Sequence, residues 1–471
     1  MSQEQYAEAL RYIYSFTDYE KKTSYAYSDA LWDLRRMEAL LDLLGNPHRR
    51  FLTVHIAGTK GKGSTAAMID SVLRAAGLRS GLYTSPHLHT FRERVVVGGQ
   101  RVSQEEVVSL VEQLKPHVAQ VPGLTTFEII TILALEHFAA RKVDVGVMEV
   151  GLGGRLDATN VISPAVCVIT SLSHDHTQLL GNTLAEIAYE KAGIIKENVP
   201  VVSAPQKPEA LEVIQRVCQE KHAPLQIVGR DWHWKAGEAD LEGQFFGLRY
   251  GVERPNAWPS RYVNGFWIPL LGIHQLTNAT LAVAAIHELN AHLDSRAVGE
   301  ADIRAGLRQV RWPGRLEILG RQPFVVVDGA HNADSSRKLV AALHRHFAYE
   351  NLILLFGASR DKDVPGIFKQ LLPEASAVIF AQARHPRAMH VSELVGEVER
   401  FLARRSPPGK QARRPLVYES TVVGDALEEA LHLAGEGDLI CATGSLFLVA
   451  EVQEAWASRQ GLPLPEKDPE V

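Results

Sequence analysis

Glycines and lysines alternate in a short stretch near residue 60 of this 471-residue chain. The stretch follows an apolar run at residues 52–57 and precedes an amphipathic run. A glycine-rich turn between a strand and a helix directs backbone N–H groups at a phosphate, and the helix N-terminus adds a favourable dipole. Lys62 is placed to reach the outer phosphates of a nucleotide, and Ser64 or Thr65 to cap the helix and approach Mg²⁺. The predicted phosphate-binding loop consists of Gly58, Thr59, Lys60, Gly61, Lys62, Gly63 and Ser64.

The loop departs from the strict Walker pattern GxxxxGK[ST] at two positions. The first glycine of that pattern would fall on Ile56, and its hydroxyl residue would fall on Gly63. A glycine-rich tight turn without a ligand is the alternative interpretation. The density of glycine and lysine in a strand–loop–helix context favours phosphate binding.

Three polar residues follow predicted strands and are candidate ligands of Mg²⁺. Ser85 follows a short strand at 81–84, Glu149 closes a strand at 143–150, and His176 comes shortly after a strand at 165–171. Ligands of open α/β sheets bind beyond the carboxyl ends of the strands. Mg²⁺ prefers oxygen ligands, so a histidine ligand would be unusual, and each residue taken singly is more often structural. Their shared position relative to the loop is what supports a metal site.

Short apolar runs alternate with longer amphipathic runs along most of the chain, which predicts an α/β fold with doubly wound parallel sheets. The predicted strands are 52–57, 143–150, 165–171, 324–328, 351–356, 377–381 and 438–442. The predicted helices are 64–76, 127–141, 184–196, 278–289, 335–346, 391–404 and 421–433.

Two further segments bear on the domain organisation. Residues 229–272 are rich in glycine and tryptophan, which predicts β-hairpins at the edge of the first domain, with the tryptophans in hairpin packing rather than stacked on a ligand. Residues 311–315 (RWPGR) interrupt a helical run, which indicates a junction between domains 1–311 and 312–471. The tail after Gly461 is rich in proline and charge, so we expect it to be frayed.

The composition is that of a globular protein, with 46% hydrophobic and 22% charged residues. A net charge of −5 argues against a general nucleic-acid or anionic-membrane surface. The three cysteines form no CxxC pair, so neither a disulfide framework nor a zinc site is expected. Neither a signal peptide nor a membrane span is evident, and we expect a cytoplasmic enzyme.

Several motifs together resemble the folylpolyglutamate synthase/dihydrofolate synthase family of the Mur ligase superfamily. The matching segments, which span roughly positions 10 to 455, are TVHIAGTKGKGS at 53–64, GLYTSPHL at 81–88, EVGLGGRLDATN at 149–160, DH at 175–176, EKAGIIK at 190–196, HQLTNA at 274–279, WPGR at 312–315, DGAHN at 328–332 and FGA at 356–358. The resemblance implies an ATP-binding N-terminal domain with the phosphate loop and a smaller, Rossmann-like glutamate-ligase domain. It also implies an enzyme, usually monomeric, that uses ATP and Mg²⁺ to join L-glutamate to a folate-type carboxylate through an acyl phosphate.

The resemblance also implies roles for individual residues. Magnesium would be held by Ser85, Glu149, His176 and Lys191, the last as a carbamate. ATP would be contacted by the loop and by Asn278, Arg315 and Asp328. The pterin-bearing substrate would lie at Thr125, Leu156, Asp157 and Ala158, with Phe16 and Thr17 as weaker candidates. Catalysis would involve Lys62, Lys191, His176 and His331, and His331 is one candidate for the base that deprotonates the glutamate amine.

Two departures from the family pattern and several alternative functions stay open. The family usually has asparagine at the position of Lys60, and His174 makes it ambiguous which histidine meets the metal, although the motif register favours His176. The acceptor is dihydropteroate, tetrahydrofolate or both, and a dihydrofolate synthase alone or an inactive nucleotide-binding relative are the alternatives. A cell-wall ligase is disfavoured because only 57 residues precede Gly58, and a simple P-loop NTPase because no Walker-B-like aspartate is evident.

Overall fold

The computed structural model describes residues 2–20, 32–251, 262–293, 296–405 and 414–469. Its described strands form sheets of eight, three and six strands. The first two sheets are built before residue 269 and the third after residue 316. The predicted α/β class with parallel sheets is confirmed.

The eight-stranded sheet carries the phosphate loop. Its strands are β1 (Leu52–Ala57), β2 (Ser80–Tyr83), β3 (Val95–Val97), β4 (Gln100–Arg101), β5 (Val145–Glu149), β6 (Val166–Ile169), β7 (Val201–Ser203) and β8 (Leu225–Ile227). They lie in the order β4-β3-β2-β5-β1-β6-β7-β8, and neighbouring strands are parallel except β2–β3 and β3–β4. Alternate residues of β5 enter different hydrophobic clusters, Val147 one and Met148 the other, so this central strand is buried on both faces.

The predicted hairpin region forms a small antiparallel sheet of β9 (Trp232–Ala239), β10 (Gln244–Tyr250) and β11 (Val263–Ile268). Trp232 is fully buried and stacks on Tyr250 at a centroid distance of 4.7 Å. Its Nε1–H donates to Gln226 at 2.7 Å, which satisfies the one polar atom of the ring. Trp232 therefore packs in the core as predicted, whereas Trp258 lies outside the described residues.

The six-stranded sheet forms the second unit. It consists of β12 (Glu317–Arg321), β13 (Phe324–Asp328), β14 (Leu352–Phe356), β15 (Ala375–Ala381), β16 (Leu416–Ser420) and β17 (Leu439–Thr443). The order is β12-β13-β17-β14-β15-β16, and only the β12–β13 pair is antiparallel. The β13 and β14 strands are largely Val, Ile and Leu, and every residue of β14 and β17 is buried, because both faces of this sheet are covered.

The α-helices cover the faces of the two large sheets. They are α1 (Gln3–Tyr14), α2 (Leu34–Leu43), α3 (Lys62–Ala75), α4 (Gln104–Val118), α5 (Thr126–Ala140), α6 (Thr177–Leu180), α7 (Leu184–Ala192), α8 (Pro208–Glu220), α9 (Ile273–Leu289), α10 (Glu300–Gln309), α11 (Ala333–His346), α12 (Val364–Leu371), α13 (Val391–Arg405), α14 (Val423–Leu433) and α15 (Leu446–Arg459). Within the described ranges, none of these helices has the length and apolarity that a bilayer crossing requires.

Several local predictions were wrong. Helix α3 begins at Lys62 with Gly61 as its N-cap, so Ser64 and Thr65 lie inside the first turn and do not cap it. Helix α7 ends at Ala192, four residues before the predicted Lys196, and Gly193 is its C-cap. A Cβ on Gly193 would lie 2.4 Å from Arg155 Cβ, so the neighbouring loop requires glycine at this position.

The third error concerns the tail after Gly461, which is docked rather than frayed. The Asp468 carboxylate accepts hydrogen bonds from the Tyr6 hydroxyl and the Thr90 hydroxyl, each at 2.7 Å. The tail therefore returns from the second unit to the first.

Candidate active site

The strand ends of the two large sheets face one cavity of about 740 Å³. The predicted residues that line it are Gly58, Thr59, Lys60, Gly61, Lys62, Gly63, Ser64, Ser85, Glu149, Asp157, His176, Lys191, Asn278, Arg315, Asp328 and His331. Thr125, Leu156 and Ala158 are not among the described lining residues. The structure thus brings the predicted loop, metal and nucleotide residues together.

Close packing makes glycine necessary at three positions of the loop. Gly58 has φ +152°, and a Cβ there would lie 1.8 Å from Thr170 Oγ1. Gly61 has φ +93° and faces Asn278, while Gly63 lies under the ring of Trp312. Thr65 is the first amide of α3 that bonds within the helix, to Gly61 O at 2.9 Å. The amides of residues 62–64 precede that ladder and are the donors that a helix N-terminus offers to an anion.

Lys62 and Glu149 form the centre of the loop side. Lys62 Nζ lies 3.7 Å from Glu149 Oε1, and the Ser85 amide donates to Glu149 Oε2 at 3.3 Å. Burial raises the pKa of the Glu149 carboxyl above its ordinary value, against the opposing effect of Lys62. Additional positive charge beside Glu149 would favour its ionised form.

Asp175 joins the two sheets. Its carboxylate oxygens lie 2.8 Å from Lys60 Nζ and 2.9 Å from Lys362 Nζ, and it accepts from Asn332 Nδ2 at 3.2 Å. Burial opposes ionisation, but the charges of Lys60 and Lys362 hold the pKa of Asp175 well below its ordinary value. Lys60, the departure from the family pattern, therefore has a partner and does not add an isolated charge to the loop.

The ring orientation of His331 follows from its contacts. Nδ1 lies 2.7 Å from Gly329 O, so it must carry the proton and donate. Nε2 is then the acceptor for Lys60 Nζ at 2.5 Å. Burial and then Lys60 lower the pKa of His331 to about 4, so the ring is neutral near pH 7. Lys60 already occupies the lone pair that a general base would use.

Lys191 is buried without an ion pair or hydrogen bond to any residue that the structure describes. Burial, followed by the charge of Lys62, lowers the pKa of Lys191 to about 7. A substantial fraction of this amine is therefore neutral near pH 7, which is the form that reacts with carbon dioxide.

Arg315 and Asp328 supply the opposite wall. The Asp328 carboxylate accepts from the amides of Leu316 and Ala330, each at 2.8 Å, and Arg315 Nη1 donates to Gly314 O at 3.0 Å. Burial raises the pKa of Asp328, and the nearby Arg315 opposes that rise. This wall is held by backbone contacts at the junction between the two units.

An aromatic compartment lies at one end of the cavity. Tyr19 and Trp32 stack at a centroid distance of 5.0 Å, and Phe127 also lines the cavity. Asp157 is fully buried, and its carboxylate accepts from the Leu152 amide at 2.9 Å and from the Thr159 amide and hydroxyl at 3.0 and 2.5 Å. The flat apolar rings suit a heteroaromatic ligand, whereas the Asp157 carboxylate is already occupied by protein donors.

The remaining predicted substrate residues have local structural contacts. Thr125 is the N-cap of α5, and its side chain accepts from the Glu128 amide. Ala158 is buried at the start of a 3₁₀ helix, directly after Asp157. A role for Thr125, Leu156 or Ala158 toward a ligand stays a prediction.

The predicted metal ligands fit Mg²⁺ in their donor chemistry. The Ser85 hydroxyl and the Glu149 carboxylate are oxygen donors at one wall, and His176 lies on the cavity wall while His174 is exposed. Among the described residues, no group of three or more His, Cys, Asp or Glu side chains is arranged around a common metal position. The predicted set contains only two residues of those types, so it depends on Ser85 and on the modification of Lys191.

Several residues of the site were not predicted from the sequence. Lys362 follows β14, and Asn332 follows β13, so the rule that selected Ser85 and Glu149 would also have found them. Glu20 lines the cavity beside the aromatic compartment and carries no comparable signal. Its partner Arg94 lies 74 residues away in the sequence.

Two family models match this chain. Residues 56–286 match the Mur ligase middle domain, and residues 314–446 match the Mur ligase glutamate ligase domain. The dihydrofolate synthase/folylpolyglutamate synthase of Bacillus subtilis (strain 168) is 36% identical over 449 residues, which cover 93% of this chain and 99% of that protein.

Solved structures are similar over nearly the whole chain. Folylpolyglutamate synthase of Mycobacterium tuberculosis, complexed with ADP and AMPPCP, has a TM-score of 0.82 and 30% identity, with 98% of this chain and 100% of that chain covered. FolC of E. coli in complex with DHPP and ADP has a TM-score of 0.81 and 28% identity, with coverages of 98% and 99%.

Proposed function

The chain belongs to the folylpolyglutamate synthase/dihydrofolate synthase family of ATP-dependent ligases, and we propose that its cavity joins L-glutamate to a folate-type carboxylate through an acyl phosphate. The observation that carries this proposal is the glycine-rich loop at the N-terminus of α3. The amides of residues 62–64 precede the first hydrogen bond of that helix, and Lys62 lines the cavity beside them. The phosphates of ATP match these donors and this charge.

The reaction consists of two displacements. An oxygen of the acceptor carboxylate attacks the γ-phosphorus of ATP, the bond to the β,γ-bridging oxygen breaks, and ADP leaves. The glutamate amine then attacks the acyl carbon, the bond between that carbon and the phosphate oxygen breaks, and one proton of the amine passes to the departing phosphate. Phosphate departs with one oxygen of the original carboxylate. Little covalent work falls to the protein, which positions the groups and stabilises charge.

Residues of both sheets are proposed to hold ATP. The free amides of residues 62–64 and the Lys62 ammonium meet the phosphates. Asn278, Arg315 and Asp328 contact the rest of the nucleotide from the junction. Because Arg315 lies at the start of the second unit, which we place at residues 312–471, its contact ties nucleotide binding to the closure that excludes water from the acyl phosphate.

A metal site is proposed at Ser85, Glu149 and His176, with Lys191 as a carbamate. Bound Mg²⁺ supplies charge neutralisation on the transferred phosphoryl group. The lowered pKa of Lys191 and its lack of a described partner support carbamate formation, which turns a buried cation into an oxygen ligand. Glu149 also orients Lys62 and the Ser85 amide, with which its carboxylate is in contact.

The aromatic compartment is proposed to bind the heteroaromatic end of the acceptor. Tyr19, Trp32 and Phe127 offer ring faces, and Asp157 fixes part of the cavity wall through its bonds from Leu152 and Thr159. The acceptor carboxylate would then point toward Lys62. We also propose a monomeric enzyme that works in the cytoplasm, a compartment supported by three free, buried cysteines.

Phosphate release from ATP tests this function. Purified protein is assayed with Mg²⁺ and L-glutamate, with dihydropteroate or tetrahydrofolate as acceptor, beside a Lys62→Ala variant. Stimulation by dihydropteroate alone identifies a dihydrofolate synthase, by tetrahydrofolate alone a tail-extending synthase, and by both a bifunctional enzyme. Release that neither acceptor raises above the Lys62→Ala background would contradict the folate assignment.

A further inference from the structure

The C-terminal strap, residues 460–469, crosses from the second unit to the first. It leaves α15 through a bond from the Leu462 amide to Ala457 O at 2.9 Å, and Lys467 pairs with Glu454 on the same helix. Farther along, Glu466 pairs with Arg92 of the first unit. The strap therefore forms ion pairs with both units.

Asp468 makes the most extensively buried contact of the strap. Its Oδ1 accepts from the hydroxyls of Tyr6 and Thr90, each at 2.7 Å, and its Oδ2 accepts from the Phe91 amide at 2.6 Å. All three donors belong to residues that are at most 1% exposed. Three donors converge on the two oxygens of this one carboxylate. An asparagine amide at this position could accept only through its oxygen, because its nitrogen is itself a donor, so the site requires a carboxylate.

The contacted turn leads directly to the cavity. Thr90 is the N-cap of the 3₁₀ helix Phe91–Arg94, and Arg94 at its end is 2% exposed. The Arg94 guanidinium donates to both carboxylate oxygens of Glu20, at 3.0 and 2.6 Å, and its Nε donates to His87 Nδ1 at 2.8 Å. Glu20 lines the cavity next to Tyr19 of the aromatic compartment.

The same turn also follows Ser85, the proposed metal ligand, by a few residues. Glu93 accepts from the amides of Leu88, His89 and Thr90 at 2.8 to 3.2 Å, which fixes the path between Ser85 and the 3₁₀ helix. Because these bonds lie within the first unit and do not involve Asp468, we expect Ser85 to keep its position when the contact with Asp468 is lost.

We propose that Asp468 is a positioning residue that keeps the acceptor compartment in shape from the far domain. It holds the Thr90–Arg94 turn, and Arg94 in turn holds Glu20 at the lip of the compartment. When the strap is undocked, the acceptor binds more weakly, while the ATP residues at the loop and junction are unaffected. The kinetic part of this proposal rests on the proposed folate-type acceptor.

The test compares full-length wild type, Asp468→Asn, Tyr6→Phe and the matched control Asp425→Asn. Asp425 is an exposed aspartate in the first turn of α14. Hydrogen exchange of peptides that cover residues 85–94 reports the turn, and KM for acceptor, KM for ATP and kcat report its consequence. For Asp468→Asn we expect faster exchange in these peptides and an acceptor KM about tenfold higher, with KM for ATP unchanged. Tyr6→Phe removes one of three bonds and shifts both readouts less.

Each outcome decides the proposal. Equal exchange and equal acceptor KM in Asp468→Asn and Asp425→Asn would overturn it, and so would faster exchange without a change in acceptor KM. A parallel rise of both KM values would indicate general loosening and would also overturn it. Failure of the proposed function is distinguishable, because it would show as an absent acceptor response in the wild type itself, while the exchange comparison does not depend on activity.

Discussion

The two walls of the cavity differ in the groups that they offer to an anion. The loop wall carries the amides of residues 62–64, which precede the first hydrogen bond of α3, and the Lys62 ammonium beside them. On the opposite wall, Arg315 and Asp328 lie together, and both are bonded to backbone groups at the junction. We therefore expect the loop wall to meet the phosphates and the junction residues to position the rest of the nucleotide.

Removal of the Lys62 ammonium should have the largest effect, because it takes charge from the loop wall where phosphoryl charge develops. For Lys62→Ala we expect acceptor-dependent phosphate release to fall about a thousandfold. Lys207→Ala, which changes an exposed lysine, is the control. Equal activity of the two variants would show that the loop wall does not serve the phosphates.

Removal of Lys191 should have the next largest effect, since it deletes the proposed oxygen ligand. For Lys191→Ala we expect a fall of about a hundredfold, with partial recovery on addition of a short carboxylic acid that replaces the carbamate. The wild type incubated with ¹³C-bicarbonate should show a carbamate carbon signal that Lys191→Ala lacks. A wild-type enzyme without that signal would leave Lys191 as a buried amine and remove the modification from the mechanism.

His55, on β1 beneath the loop, should remain neutral and add no charge to the loop wall. It is fully buried with Nε2 2.8 Å from Thr159 Oγ1, and burial, then Lys196, lowers its pKa to about 3. A histidine in the unfolded chain gains a proton below about pH 6.5, whereas the buried His55 does not. The contribution of His55 to the stability of the folded state is therefore fully present above that pH and is lost as the pH falls toward 3.

Between pH 7 and pH 5, His55 should therefore cost the wild type about 2 kcal/mol of unfolding free energy that His55→Gln does not lose. Urea unfolding of both proteins at the two pH values measures this difference. If the difference in unfolding free energy between the wild type and His55→Gln is the same at pH 7 and at pH 5, then His55 titrates normally.

Replacement of Lys60 should have the smallest effect. Asp175 keeps Lys362 at 2.9 Å and Asn332 at 3.2 Å when Lys60 is lost. For Lys60→Asn, which restores the residue usual in the family, we expect kcat/KM to change by no more than about threefold. A loss as large as that of Lys62→Ala would make Lys60 a principal phosphate contact.

The sequence allowed the loop wall to be predicted because its signals are local. A buried strand, three glycines and a helix lie within residues 52–75, and each glycine is required by a contact or a positive φ. Strand ends located Ser85 and Glu149 by the same reasoning. The Asp175 contacts were not predictable in this way, because they join residues 115 to 187 positions apart.

The contacts of the C-terminal strap were also not predictable from local sequence. Proline and charge after Gly461 are compatible with either a frayed or a docked tail, and the contact from Thr90 to Asp468 spans 378 positions. Helix α9 begins at Ile273, five residues before the predicted start at residue 278, with Gly272 at φ +98° as its N-cap. Periodicity thus located the elements, whereas the ends of the helices and the long-range side-chain contacts needed the structure.

Isotope transfer tests the acyl phosphate most directly. The acceptor that stimulates phosphate release is labelled with ¹⁸O in its reacting carboxylate and incubated with ATP, Mg²⁺ and L-glutamate. We expect one ¹⁸O atom in each molecule of released phosphate, because the carboxylate oxygen that attacks phosphorus leaves with it. Phosphate that carries no ¹⁸O, while amide product still forms, would contradict phosphorylation of the acceptor.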